Sequence, residues 1–353
     1  MLEGEAVKIL HICAGWQKWN GAANIARMIM DEQRREGHDV SSATWAKVRE
    51  LRAADEVWIH CGWLPCLWWA ALVCFLTQRR RGVECAERVL KWMPEACYDP
   101  VRLSYHGWKK WLAGPIERFS LRRCKTIVAT CEAEKEWIEK YLGKKCPAVE
   151  VTDIRRFFNL NPVNPVNPVK KDLHLLYLGR RHPLKGLSYL ETALATYYNK
   201  WSSPPSSLAP TTACADNPSS NPSRKATTYY NKCPIEFRVV SDAFGDELER
   251  VWDWCDVLVL PTLSENFGLV IAEALERGKC VITTDGAPAW GENLSRVEHA
   301  DHVEGGEMLS GYGGRLIYLK GYRDGTHEDR IRLLQSAIEN LLCRASLTPP
   351  AAK

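Results

Sequence analysis

Short apolar runs alternate with longer amphipathic stretches from the start of the chain. Val7-Lys-Ile-Leu-His-Ile12 reads as a buried strand, followed by a Trp/Gly-rich loop and a helix from about Ala22 to Glu36 that stops at Gly37. Glu56-Val-Trp-Ile-His60, Arg88 to Met93 and Lys125 to Thr130 read as further strands, with helical stretches around 66–80, 101–122 and 132–142. The rhythm then restarts. Strand patterns at Asp172–Leu178, Ile235–Val240, Asp256–Pro261 and Lys279–Thr284 are separated by helical patterns at Gly186–Tyr198, Gly245–Cys255 and a run that ends near Arg277. Such alternation predicts an α/β fold with parallel strands covered by helices on both faces. Two doubly wound, Rossmann-like domains facing each other across a cleft are the expected architecture, with ligands outside the carboxyl ends of the strands.

The seam between the two halves is compositional. Asn161 to Val169 is Asn-Pro-Val three times over, and proline at every third position forbids helix and disfavours a central strand. The expected division is therefore residues 1–160, a stiff extended linker at 161–171, and a second domain at 172–345. Within the second domain, 201–233 is rich in Ser, Pro and Thr. It is flanked by a copied pentapeptide, Thr196-Tyr-Tyr-Asn-Lys200 and Thr228-Tyr-Tyr-Asn-Lys232. It reads as a disordered insert left by a local duplication.

One apolar run has the length of a membrane span, Val57 to Leu76, and Arg79, Arg80 and Arg81 follow it. Gly62 and Pro65 divide it, so the expected structure is a buried strand, a loop and a helix. Charge is uneven. Residues 1–160 carry 26 Lys+Arg against 20 Asp+Glu, a net +6, within a chain of net +4. A basic N-terminal half suits an anionic partner or an anionic membrane face. The modest total and the lack of any recognisable DNA or RNA module argue against nucleic acid as a partner. Fourteen cysteines at irregular spacing, with no C-x2-C pair, predict reduced, mostly buried thiols in a cytoplasmic protein and no zinc site.

Two stretches carry candidate chemistry. Gly179-Arg-Arg-His-Pro-Leu-Lys-Gly186 leaves the first strand of the second half and places Arg180 and Lys185 near the start of a helix. Two cations beside helix N–H groups suit a diphosphate; a solvated basic turn is the plain alternative. Ser264-Glu-Asn-Phe-Gly-Leu269 opens the helix that contains Glu273. The N–H groups after Asn266, Phe267 and Gly268 offer a second anion seat. Glu273, in the second turn, suits vicinal hydroxyls such as those of a ribose, and Glu265, outside the helix, suits sugar hydroxyls. The plain alternatives are a helix-dipole partner for Glu265 and a solvated face for Glu273.

Glu265-Asn-Phe-Gly-Leu-Val-Ile-Ala-Glu273, with Gly179-Arg-Arg-His-Pro-Leu-Lys-Gly186 about eighty residues earlier, resembles the family 4-like (group 1) glycosyltransferases of the GT-B fold. The resemblance implies a nucleotide-sugar donor held mainly by the C-terminal domain, retention of anomeric configuration, and no metal or other cofactor. It implies catalytic roles for Arg180, Lys185 and Glu265, and donor binding by Gly179, Asn266, Phe267, Gly268, Leu269 and Glu273. The partner on the other side would be a glycan or glycolipid acceptor. Lipopolysaccharide or another envelope glycan is the expected product, made in the cytoplasm or on the inner face of the cell membrane.

The first half fits the family more loosely. Trp16 to Gly21 takes the place of the glycine loop, Gly37-His-Asp-Val40 that of a G-H-x-V, and Cys131-Glu-Ala-Glu134 that of an S-x-x-E. Where the family often has an active-site histidine, this chain has Pro94-Glu95-Ala96, and the nearest histidine is His106. Gly21, Glu95 and His106 are therefore the acceptor-side candidates. Two other readings stay open: a non-catalytic glycan- or membrane-binding protein on the same scaffold, and a sugar-nucleotide epimerase.

Overall fold

The computed structural model describes residues 6–16, 21–78, 89–105, 107–160, 173–201, 235–292, 294–296, 306–313 and 315–347. The Asn-Pro-Val linker at 161–171, the insert from 202, Arg79–Arg81 and His106 lie outside the described residues. The chain divides into two compact units: Met1–Phe157 with Asn266–Gly268, and Phe158–Glu265 with Leu269–Lys353.

The first unit runs β1 (Lys8–Cys13), α1 (Gly21–Arg35), β2 (Asp39–Ala43), α2 (Val48–Ala53), β3 (Glu56–His60), α3 (Pro65–Gln78) and β4 (Val89–Met93). It continues with α4 (Pro100–Ser104), α5 (Gly107–Leu121), β5 (Thr126–Ala129), α6 (Glu132–Leu142) and β6 (Ala148–Val151). Its sheet is parallel throughout, in the order β2-β1-β3-β4-β5-β6. Strands buried on both faces read as continuous apolar runs, which is why β1, β3 and β5 stand out in the sequence. Ile12, Cys13, Val57, Ile59 and Ile127 are fully buried. The two edge strands did not stand out: β2 (DVSSA) and β6 (AVEV) are mostly exposed. The expected helix over 101–122 is two helices, because Asp99 accepts from the Val101 N–H at 2.9 Å and starts a separate turn at Pro100.

The apolar run at 57–76 folds as expected into β3, a loop through Gly62, and α3 starting at Pro65. Among the described residues no helix is long and apolar enough to cross a membrane.

The second unit runs β7 (Leu173–Leu178), α7 (Leu187–Trp201), β8 (Ile235–Val240), α8 (Asp246–Trp254), β9 (Val257–Leu260), α9 (Leu269–Glu276) and β10 (Cys280–Thr284). It ends with β11 (Ser295–Arg296), β12 (Glu307–Gly311), β13 (Leu316–Lys320) and α10 (His327–Leu347). The sheet order is β11-β12-β13-β10-β9-β7-β8. From β8 to β13 it is parallel, and β12 and β11 add an antiparallel edge that the sequence reading did not contain. The core lies between this sheet and α7 with α10, around Leu175, Tyr177, Leu190, Leu333 and Ile338. The order in which strands are added reverses where β7, first in this unit, lies between β8 and β9. That reversal opens a crevice beyond the carboxyl ends of β7 and β9. The equivalent reversal in the first unit lies between β1 and β3.

Candidate active site

The loops that leave β7 and β9 meet at the reversal in the second unit. After β7, residues Pro183–Lys185 make one 3-10 turn, entered by His182, whose Nδ1 accepts from the Leu184 N–H at 3.2 Å. Gly186 ends the turn with φ +67°, and a Cβ there would drive into the Pro261 carbonyl oxygen. Only glycine combines that φ with that approach. The carbonyl of Leu184 accepts from the Leu263 N–H (2.8 Å) and the Thr262 hydroxyl (3.0 Å). The loop after β10 is sewn in the same way. The Glu265 N–H donates to the Gly286 carbonyl at 2.7 Å, the Thr284 hydroxyl donates to the Thr262 carbonyl, and a Cβ at Gly286 would meet Thr262 backbone.

This stitching brings the predicted pair together: Lys185 Nζ is ion-paired with a Glu265 carboxylate oxygen, and both side chains are mostly buried, at 17% and 16% exposure. The two were expected to grip different parts of a ligand, and here they contact each other. Arg180, in the loop that leads into that turn, is exposed, and its carbonyl accepts the Tyr177 hydroxyl at 2.9 Å. Gly179 holds the strand end through its N–H to the Val240 carbonyl at 2.9 Å.

Gly268, at φ +69°, turns the chain into α9, whose first residue is Leu269. Glu273 lies half-buried in the second turn of α9, four residues before Arg277, which follows the helix. Burial pushes its carboxyl above the ordinary glutamate range, partly offset by Arg277. It is thus neither a solvated face nor a core residue. Phe267 departs from expectation: its ring is 1% exposed, so it packs inside, and its backbone alone is left for a donor.

The acceptor-side candidates fare differently. Gly21 is the first residue of α1, with open space where a Cβ would stand. Glu95 sits at φ +56° in the turn after β4, but its carboxyl points into the unit and is 5% exposed. It ends a buried polar chain: Glu95 Oε1 lies 3.4 Å from His60 Nδ1, His60 Nε2 3.0 Å from His11 Nδ1, and His11 Nε2 2.7 Å from Gln33 Oε1. Burial lowers both histidines to about 3 and raises Glu95, with help from Glu134. The His60–His11 and His11–Gln33 contacts are hydrogen bonds, whereas Glu95 Oε1 and His60 Nδ1 face each other without hydrogen-bond geometry. In this conformation the Glu95 carboxyl is turned toward that buried chain. Glu134 is also structural: it accepts from the Thr130 N–H and hydroxyl, both at 2.7 Å, and from the Ala96 N–H. Among the described residues no group of three or more His, Cys, Asp or Glu side chains is placed to hold a metal ion.

Residues 172–305 match the family profile described as glycosyl transferases group 1. This segment resembles the group 1 glycosyl transferases. The stretch includes Arg180, Lys185, Glu265 and Glu273. The whole chain shares its fold with solved GT-B enzymes. HepE from Anabaena, solved in complex with UDP-glucose, superposes with a TM-score of 0.55 at 15% identity, over 96% of this chain and 93% of that one. Sucrose-phosphate synthase from Thermosynechococcus elongatus gives 0.53 at 11% identity, over 96% and 94%. An α,α-trehalose 6-phosphate synthase from Burkholderia multivorans gives 0.50 at 11% identity, over 98% and 90%. No curated protein sequence matches the chain.

Several residues of the second unit that build the candidate site were not singled out in the sequence. Thr262 and Thr284 are fully buried hydroxyls that lock one loop to the next. Arg315, 2% exposed, donates to the Leu275 carbonyl at 2.8 Å and so closes the C-terminal end of α9. A threonine at the end of an apolar strand was the available signal for the first two. Arg315 lies forty residues from its partner and gave none.

Proposed function

We propose that this glycosyltransferase moves a sugar from a nucleotide-sugar donor to an acceptor hydroxyl, with retention and without a resident metal. The observation that carries the reading is the Lys185–Glu265 pair at the strand reversal, with Arg180 exposed in the same loop and Glu273 half-buried on α9. Lys185 and Arg180 would take the donor diphosphate together with the N–H groups of α9. Glu265, released from Lys185, would accept from sugar hydroxyls, and Glu273 from those of the ribose. As the bond between the anomeric carbon and the phosphate oxygen breaks, charge grows on the phosphate, and cations already in place lower that barrier. The acceptor oxygen bonds to the same carbon and its proton passes to the departing phosphate, so no separate base is required.

The acceptor is read as a glycan or glycolipid of the cell envelope, lipopolysaccharide included, met at the inner face of an anionic membrane. The +6 charge of residues 1–160 supports that side of the reading. A thermal-shift panel of UDP, GDP, ADP and CMP sugars tests the donor. One class should raise the melting temperature, and Arg180→Ala with Lys185→Ala should abolish the shift. Silence across the panel, or a shift that survives the double substitution, would overturn the reading. Release of free nucleotide from the binding sugar separates a transferase from a protein that only binds.

A further inference from the structure

An ordinary surface helix turns its apolar side inward, as α1 does with Ile25, Ala26, Ile29 and Met30. Helix α5 has its large apolar side chains on the outside. Trp108 is 66% exposed, Trp111 79% and Leu112 60%, and Ile116 and Phe119 continue the same face. Helix α3 packs beside it and extends the strip with Trp69, Leu72 and Leu76, all exposed.

The charges on these helices are one-sided. Helix α3 has no charged residue, and the only acid on α5, Glu117, is fully buried. Glu117 joins the two helices from beneath, accepting from the Trp68 indole, the Tyr98 hydroxyl (2.5 Å) and the Trp63 N–H (3.0 Å). Cations stand at both ends of the strip: Lys109 lies over Trp108 at 5.5 Å, and Arg123 over Phe119 at 3.1 Å and Phe75 at 4.4 Å.

A contiguous apolar face of this size is not a solvated surface. Exposed tryptophans and leucines with Lys109 and Arg123 at their ends fit the boundary between head groups and acyl chains of an anionic bilayer. The same cations on a second copy would face each other across a dimer, which disfavours self-association. We propose that the outer face of α3 and α5 is a monotopic docking surface that inserts Trp108, Trp111 and Leu112 into an anionic lipid bilayer. The proposal deepens the membrane reading above: contact is made by apolar insertion, with charge assisting. Both helices start at the carboxyl-terminal rim of the sheet, since α3 follows β3 and α5 leads back toward β5. The tryptophan end of the strip is the rim end, so the docked bilayer lies beside the acceptor side of the first unit.

Flotation with phosphatidylcholine vesicles containing about one third phosphatidylglycerol tests it, read at low and at high salt. The wild type should float and keep a measurable share of that binding in high salt. Trp108→Ser with Trp111→Ser should lower the bound fraction about tenfold, and Lys109→Gln should reduce binding only at low salt. Brominated acyl chains should quench the tryptophan emission of the wild type more than that of the double variant. Donor-induced thermal shifts measured on the same samples should match in both proteins. They show the variant folded and keep failure here distinct from failure of the donor reading. Equal flotation of wild type and double variant, binding lost entirely in high salt, or a wild-type dimer that the serines dissolve without any vesicle binding would each overturn the proposal.

Discussion

The two units share a strand order up to their edges and place polarity oppositely. In the second, charged groups stand at the strand reversal, where Lys185, Glu265, Arg180 and Glu273 are all at least partly open, and the buried polar groups are mostly hydroxyls, with Arg315 beneath α9. In the first, carboxyl and imidazole groups are interior, as Glu95, Glu117, Glu134, His11 and His60 are, while tryptophans and leucines of α3 and α5 stand outside. A shared topology thus says where a crevice opens, and the side chains decide whether chemistry or contact occurs there.

The sharpest way to break this comparison is at the second rim. Arg180→Ala with Lys185→Ala should lower kcat/KM by about 10³ or more, read by nucleotide release, while the circular dichroism spectrum stays unchanged. Next comes the scaffold. Gly186→Ala puts a methyl group against the Pro261 carbonyl at a left-handed φ, and should destabilise the protein by about 1–3 kcal/mol or more, read by denaturant unfolding. Glu273→Gln should weaken nucleotide binding roughly tenfold by calorimetry. In the wild type that affinity should begin to fall on acidification above the ordinary glutamate range, because burial raises the Glu273 carboxyl.

The smallest effect concerns the first unit. His60 is lowered from 6.5 to about 3 in the folded chain, so it binds fewer protons there than when unfolded between those values. Its neutral form contributes stability above pH 6.5, and this contribution is lost as pH falls toward 3. The difference in melting temperature between wild type and His60→Gln should therefore shrink through that window. A constant difference would mean that His60 is not neutral inside, and the contrast between the two units would lose one of its terms.

Much of the architecture was legible because buried parallel strands such as Leu173–Leu178 and Val257–Leu260 leave unbroken apolar runs. Strands β2, β6, β11 and β12 were not, since they are short or largely open to solvent and leave no such run. Of the site, Arg180, Lys185, Glu265 and Glu273 could be read from local spacing next to strand ends. The contact between Lys185 and Glu265 could not, because it depends on two loops eighty residues apart. Phe267 shows the opposite limit. It adjoins the functional residues in sequence, yet its side chain serves packing.

The pairing of that lysine and glutamate also bears on which molecules the crevice would favour. A lone phosphate ion would compete with Glu265 for Lys185. A ligand that carries hydroxyls beside its phosphates would offer a replacement to each member of the pair, so the arrangement favours a phosphorylated sugar over a bare anion.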